Sequence, residues 1–170
     1  MTIKIECIKG DIAKQDDMMA VVNAANAQLK SGGGVAGAIH KAAGPQLAEA
    51  CRSMAPIETG EAVITYAYDL PNEYVIHCLG PIYGVDEPGD KLLKKCYENA
   101  LKLAEDHDVD SIAFPAISIG AFRFPVEQAT EIAINTVKEM MDDLTTVKKI
   151  RFVVFSDQVL KVYQSILDNK

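Results

Sequence analysis

Residues 21–44, Val-Val-Asn-Ala-Ala-Asn-Ala-Gln-Leu-Lys-Ser-Gly-Gly-Gly-Val-Ala-Gly-Ala-Ile-His-Lys-Ala-Ala-Gly, constrain this chain more than any other segment. The run opens as an apolar strand (Val21, Val22) and breaks at Asn23, Ala24, Ala25 and Asn26. It then passes through Gly32, Gly33 and Gly34 into a helical pattern. A strand that feeds a glycine-rich loop at a helix N-terminus presents unpaired backbone N–H groups to an anion, usually a phosphate. Asn23 and Asn26 add neutral donors and acceptors suited to sugar hydroxyls. The segment therefore points to a nucleotide or sugar-phosphate ligand on an α/β scaffold. Three glycines alone also make a plain flexible loop, so the rest of the chain has to decide between the two.

Strand and helix patterns alternate along the whole length. Residues 3–9 alternate apolar and polar side chains like a half-buried strand, and residues 20–22 are wholly apolar like a buried one. Residues 35–43 and, after Pro45, 46–54 read as helices. Residues 62–66 and 74–78 read as strands around the turn residues Asp69, Leu70, Pro71 and Asn72. Leu92, Leu93, Cys96, Ala100, Leu103 and Ala104 recur at helical spacing and predict an amphipathic helix over 91–105. A buried strand at 111–114 ends at Pro115, and a helix over 125–141 is expected to carry Pro125 at its first position. A strand at 150–155 and a helix at 159–167 close the order. This order predicts a three-layer α/β/α sandwich, with residues 1–170 as a single domain.

Composition narrows the function classes. A chain of 170 residues, 49% hydrophobic and 24% charged, can bury an ordinary globular core. No apolar run approaches the roughly 18 residues that span a bilayer, and the opening residues lack a signal peptide's apolar block. Cys7, Cys51, Cys78 and Cys96 form no C-x-x-C pair and read as buried thiols of a reducing cytoplasm. With three scattered histidines, no structural metal is expected. The formal net charge of −7 disfavours direct binding of nucleic acid. The short basic clusters at 91–95 and 148–151 read as solvated helix and strand ends. An anionic ligand must then be held by local backbone dipoles.

Ligands of open α/β sheets collect beyond the carboxyl ends of strands. Four predicted strand ends carry unusual residues: Gly10-Asp11-Ile12, residues 23–35, residues 116–122 and Phe155-Ser156-Asp157. Each has a plain structural alternative. Asp11 serves equally as a helix cap, Phe155 as core, and Ser118 with Gly120 as turn residues. Their coincidence on one predicted sheet edge favours a site.

The ordered motifs GDI, NAAN, GGGVAGAIHKAAGP, AVITYAYDLP, VIHCLGPIY, IAFPAISIGAF and VVFSD resemble the macrodomain family over nearly the whole chain, 3–167. Within it the chain is most similar to the MacroD-type branch of O-acetyl-ADP-ribose deacetylases and mono-ADP-ribosyl hydrolases. The resemblance implies a central mixed sheet and a cleft for ADP-ribose or O-acetyl-ADP-ribose, with mono-ADP-ribosylated proteins as partners and no cofactor. Asp11 would accept from the adenine amino group, the Ile12 N–H would meet a ring nitrogen, and Phe155 would cover the base, worth ~1–3 kcal/mol. Gly33, Gly34 and Val35 on one side, and Ser118, Ile119, Gly120, Ala121 and Phe122 on the other, would clasp the diphosphate. Asn26 would bond the distal ribose and Phe122 would pack on it. A Rossmann dehydrogenase is disfavoured, because no G-x-G-x-x-G follows the first strand.

One departure concerns catalysis. MacroD-type hydrolases typically carry an aspartate, assigned to the attacking water, where this chain has Ala36. General-base help is worth ~10²–10⁴ in rate, so its loss slows turnover without abolishing binding. With Asn26 still present, Ala36 fits three readings: a natural recognition module, a hydrolase using another group, or an inactivating substitution. His40, one turn beyond Ala36, reads as a structural histidine with a general base as the alternative. Arg123 reads as a solvated loop cation, with a phosphate or protein contact as the alternative. His77, inside a strand, reads as structural.

Overall fold

The computed structural model describes residues 2–169. Six strands form one sheet: β1 (Lys4–Lys9), β2 (Ala20–Ala24), β3 (Ala62–Tyr66), β4 (Tyr74–Cys78), β5 (Ser111–Pro115) and β6 (Lys149–Val154). Their order is β1-β6-β5-β2-β4-β3. Every neighbouring pair is parallel except β3 with β4, which run antiparallel around the predicted turn. The sheet is thus mixed, and the carboxyl ends of five strands share one edge.

Five helices cover it: α1 (Gly34–Ala43), α2 (Pro45–Cys51), α3 (Gly89–Asp106), α4 (Val126–Met140) and α5 (Asp157–Asp168). The two-residue period of the strands divides the core in two. Val22, Ile76, Phe114, Phe152 and Val154 point to the face packed by α3, α4 and α5. Val21, Val75, Ala113 and Val153 point to the face packed by α1, α2 and the 3-10 turn Ile12–Lys14. The α/β/α architecture read from the sequence is the one found.

Boundaries shift by a few residues. The fourth helix begins at Val126, so Pro125 precedes its first turn rather than occupying it. Strand β6 ends at Val154, which leaves Phe155 outside the sheet and 78% exposed. Cys51, Cys78 and Cys96 are buried as expected, whereas Cys7 is only partly so because β1 is an edge strand. Arg151 departs from the solvated reading of 148–151. It is buried, because its β1 neighbour is Glu6 and Asp17 closes over it. Among the described residues no helix is long and apolar enough to cross a membrane.

Candidate functional site

Above the shared carboxyl edge lies a cleft of about 760 Å³. All five parallel strands contribute to it: residues 10–12 beyond β1, 24–26 at the end of β2, Gly80 beyond β4, 115–122 from the end of β5, and Val153 on β6 with Phe155 just past its end. The first turn of α1 completes the wall through residues 32–36.

One end is built by β1 and β6. Asp11 caps the 3-10 turn, its Oδ1 accepting from the Ala13 N–H at 2.9 Å, and leaves its other oxygen uncommitted. Gly10 donates to the Val154 carbonyl at 2.9 Å, which brings the Asp11 turn beside Phe155. Ile12 is the first residue of that turn, where N–H groups have no partner inside the helix. An exposed aromatic, a carboxylate and a free N–H therefore stand together.

The middle is walled by two glycine-bearing loops. Gly33 caps α1 and Gly34 starts it at φ +55°, a left-handed value that favours glycine. The first N–H groups of α1 open to the cleft with the positive end of the helix dipole. Opposite them, Ser118 (φ +66°), Gly120 (φ +91°) and Arg123 (φ +63°) fold residues 116–124 back on themselves. Arg123 donates to the Gly120 carbonyl at 2.9 Å and Phe124 to Ser118 at 3.0 Å, while Tyr83 donates to the Phe122 carbonyl at 2.9 Å. Ser118 lines the cleft, and its hydroxyl is buried without a partner.

At the other end Asn26 is half committed. Its Nδ2 donates to the Lys30 carbonyl at 2.8 Å and its Oδ1 accepts from the Lys30 N–H at 3.0 Å, which pins the 26–30 turn. One amide hydrogen and one lone pair remain for a ligand. Ala36 lines the wall beside it. Among the described residues, Asp11 is the one ionisable side chain on the cleft wall.

The structure thus gathers Asp11, Ile12, Asn26, Gly33, Gly34, Val35, Ala36, Ser118, Ile119, Gly120, Ala121, Phe122 and Phe155 around one cavity. Asn23 is the exception, and the expectation that it meets a ligand is corrected. It is fully buried under α1 and α2, and its Nδ2 lies 3.1 Å from His77 Nδ1. The strand's two-residue period sends Asn23 into the core just as it sends Val21 there. His77 is structural, as read. Thr65 donates its hydroxyl to the Tyr66 carbonyl at 3.0 Å, so its oxygen accepts from His77 Nε2 at 3.0 Å. Burial pushes the pKa of His77 down to about 3, with His40 adding to the effect. His40 is buried behind Ala36, off the cleft wall, and burial lowers its pKa too. Arg123 is exposed and outside the cavity wall. Sequence reasoning missed Gly80, although a Gly-Pro pair directly after a strand was a usable signal.

The model of the Macro domain family matches residues 22–133. The chain belongs to the macrodomain family. It is 51% identical to a macro domain-containing protein of Chlorobaculum tepidum, over 97% of this chain and 96% of that one. It is 44% identical to the human ADP-ribose glycohydrolase MACROD2, over 96% of this chain but 39% of that protein. The macrodomain of Oceanobacillus iheyensis, solved with ADP, superposes with a TM-score of 0.91 at 37% identity, covering 96% of this chain and 89% of the other. That of Trypanosoma brucei, in complex with ADP-ribose, superposes at 0.88 and 33%, covering 96% and 68%.

Proposed function

We propose that this macrodomain, taken as one domain over 1–170, binds ADP-ribose across the cleft. The adenine lies on Phe155 against Asp11 and the Ile12 N–H. The diphosphate lies between the 33–35 and 118–122 loops, and the distal ribose lies against Asn26 and Phe122, beside Ala36. The observation that carries this reading is the wall itself. It pairs an aromatic-carboxylate end with two N–H-rich loops and, among the described residues, offers no cation, which suits a nucleotide diphosphate in a protein of net charge −7. The relatives solved with ADP and ADP-ribose support it.

The chemistry suited to this scaffold is hydrolysis of an ester at the distal ribose, in O-acetyl-ADP-ribose or in ADP-ribose on an acidic side chain. The human relative named ADP-ribose glycohydrolase MACROD2 supports a hydrolase reading of the scaffold. Water would add to the ester carbonyl while the bond to the ribose oxygen breaks, and the water's proton would end on the released hydroxyl. Among the described residues no ionisable side chain lines the cleft wall beside Ala36 to take that proton in transit, so turnover is expected to be slow. A second reading, a recognition module for ADP-ribose or mono-ADP-ribosylated proteins, is favoured by the same absence of a base. The acidic charge speaks against direct nucleic-acid binding, and the unpaired cysteines suit a cytoplasmic location.

Calorimetry with ADP-ribose tests the shared claim: no binding at tens of micromolar sinks it. Deacetylation of O-acetyl-ADP-ribose by this chain and by Ala36→Asp separates the two readings. A gain of about 100-fold marks a slowed hydrolase. Equal near-zero rates mark a recognition module, and equal high rates show that water is activated elsewhere.

A further inference from the structure

The adenine end of the cleft rests on residues 10–19, which contain no regular element beyond the turn Ile12–Lys14. A chain of side-chain hydrogen bonds from the sheet holds this segment. Arg151, on β6, spreads its guanidinium over three partners: Nε donates to Glu6 at 2.6 Å, and Nη1 and Nη2 each donate to Asp17 at 2.7 Å. The third partner is Gln15, whose Oε1 accepts from Nη1 at 2.8 Å. The other end of the Gln15 amide, Nε2, donates to the Asp11 carbonyl at 2.8 Å. The backbone of Gln15 is held independently, its carbonyl accepting from Asn72 Nδ2 at 2.7 Å.

The Asp11 carbonyl also accepts the Lys14 N–H at 2.9 Å, so it is bonded from two directions. The peptide joining Asp11 to Ile12 is planar, and in its trans form the N–H points opposite to the carbonyl. Pinning that carbonyl therefore aims the Ile12 N–H, and it fixes the Cα that carries the Asp11 carboxylate. Gln15 is only 5% exposed and Arg151 7%, and neither lines the cleft. The bidentate fork of arginine fixes geometry as well as charge, which a lysine's point charge does not.

We infer that Arg151 and Gln15 are positioning residues for base selectivity, holding the Asp11–Ile12 peptide so that the site reads the amino edge of adenine. The inference rests on the ADP-ribose reading of the cleft. Adenine offers an amino donor beside an acceptor ring nitrogen, matching a carboxylate and an N–H. Hypoxanthine offers a carbonyl beside a ring N–H, and so mismatches both groups. A peptide free to rock loses this distinction but keeps stacking and phosphate contacts.

The test is calorimetry of the full chain and of Gln15→Met with ADP-ribose and with inosine diphosphate ribose. The full chain should prefer the adenine ligand by about 10–100-fold, the worth of one or two hydrogen bonds to a charged group. Gln15→Met should cut that preference at least about fivefold by weakening ADP-ribose alone, with the inosine ligand held within about twofold. Equal weakening of both ligands, or an unchanged ratio, overturns the inference. Gln15→Glu, isosteric but lacking the Nε2 donor, should reproduce the loss and serves if the methionine variant does not fold. Amide ¹⁵N relaxation at Ile12 reads the positioning without any ligand. Its order parameter should fall in either variant, and an unchanged value refutes the positioning. Absence of ADP-ribose binding by the unaltered chain refutes the ligand reading instead.

Discussion

Replacing Gly80 by alanine tests whether the 116–124 loop is a rigid wall of the site. Gly80 lies just beyond β4, and a Cβ there would fall onto the Ser118 hydroxyl oxygen and within 2.6 Å of the Ile117 Cγ2 methyl. Carbon–carbon contacts settle near 3.5–4.0 Å, so the Ile117 methyl has to retreat by about 1 Å. Ile117 is 1% exposed, so its methyl has no free space to retreat into, and Ser118 beside it is buried as well. The loop must move as a unit. Overpacking of this kind costs about 1–3 kcal/mol, a fall in Tm of roughly 2–12 °C for a chain of this size. If the shift breaks one charge-assisted N–H contact to a phosphate, affinity for ADP-ribose falls about 10–100-fold. Thermal melts and calorimetry on the same preparation read both numbers. A variant with an unchanged Tm and a Kd within about threefold of the unaltered chain would refute the reasoning.

Three further outcomes follow from named positions. A Cβ at Gly37 would press on the Gly32 backbone carbonyl, so Gly37→Ala should lower Tm by several degrees, even though alanine favours a helix by about 0.5–1 kcal/mol; a raised Tm would show that the Gly32 loop yields freely. Phe155 is 78% exposed, so Phe155→Ala should leave Tm within about a degree. It should weaken ADP-ribose by about 5–150-fold, the worth of one base stack, and an unchanged Kd would remove Phe155 from the site. His77 is held at about 3 in the fold, against about 6.5 when unfolded. The unfolded chain therefore takes up a proton that the folded chain refuses. The stability this residue supports is whole above pH 6.5 and drains away as pH falls from 6.5 toward 3. At pH 5 the loss is about 2 kcal/mol. Urea titrations at pH 7.5 and pH 5 should show it, His77→Gln should flatten the difference, and equal slopes in both proteins would contradict the assignment.

The fold was legible because its periodicities are strong. The antiparallel pair β3–β4 matches the predicted strands at both ends, and the glycine run does open α1. What stayed hidden was direction. Spacing shows that Asn23 and Asn26 stand three residues apart. Only the pleat of β2 shows that Asn23 turns under α1 toward His77 while Asn26, past the strand's end, reaches the cleft. Arg151 misled for a related reason. Beside Lys148 and Lys149 it looks like part of a solvated cluster, and its acid partners lie more than 130 residues away on β1 and the loop that follows. The Gly-Pro pair at Gly80 marks a turn, but its importance lies in what a side chain would strike. That quantity does not exist until two distant loops are brought together.

That no cation lines the cleft among the described residues also bears on Ala36. Backbone N–H groups and the α1 terminus hold an anion by local dipoles, which is how an acidic chain can take a diphosphate without a lysine or arginine. An aspartate at position 36 would sit on the first turn of that same helix. There the dipole stabilises a carboxylate as readily as a phosphate, so the two charges would compete for one source of positive potential. Ala36 leaves the whole field to the ligand. Restoring the acid is therefore expected to move two quantities in opposite directions, raising ester hydrolysis while loosening ADP-ribose. The loosening is set by repulsion between partly screened charges. At an effective dielectric of about 20 and separations of about 8–10 Å, it is on the order of 2 kcal/mol before salt screening. Calorimetry on Ala36→Asp at low and at physiological salt separates this effect from a steric one, because only the electrostatic loss shrinks as salt rises. A salt-independent loss would mean that the aspartate crowds the ribose instead.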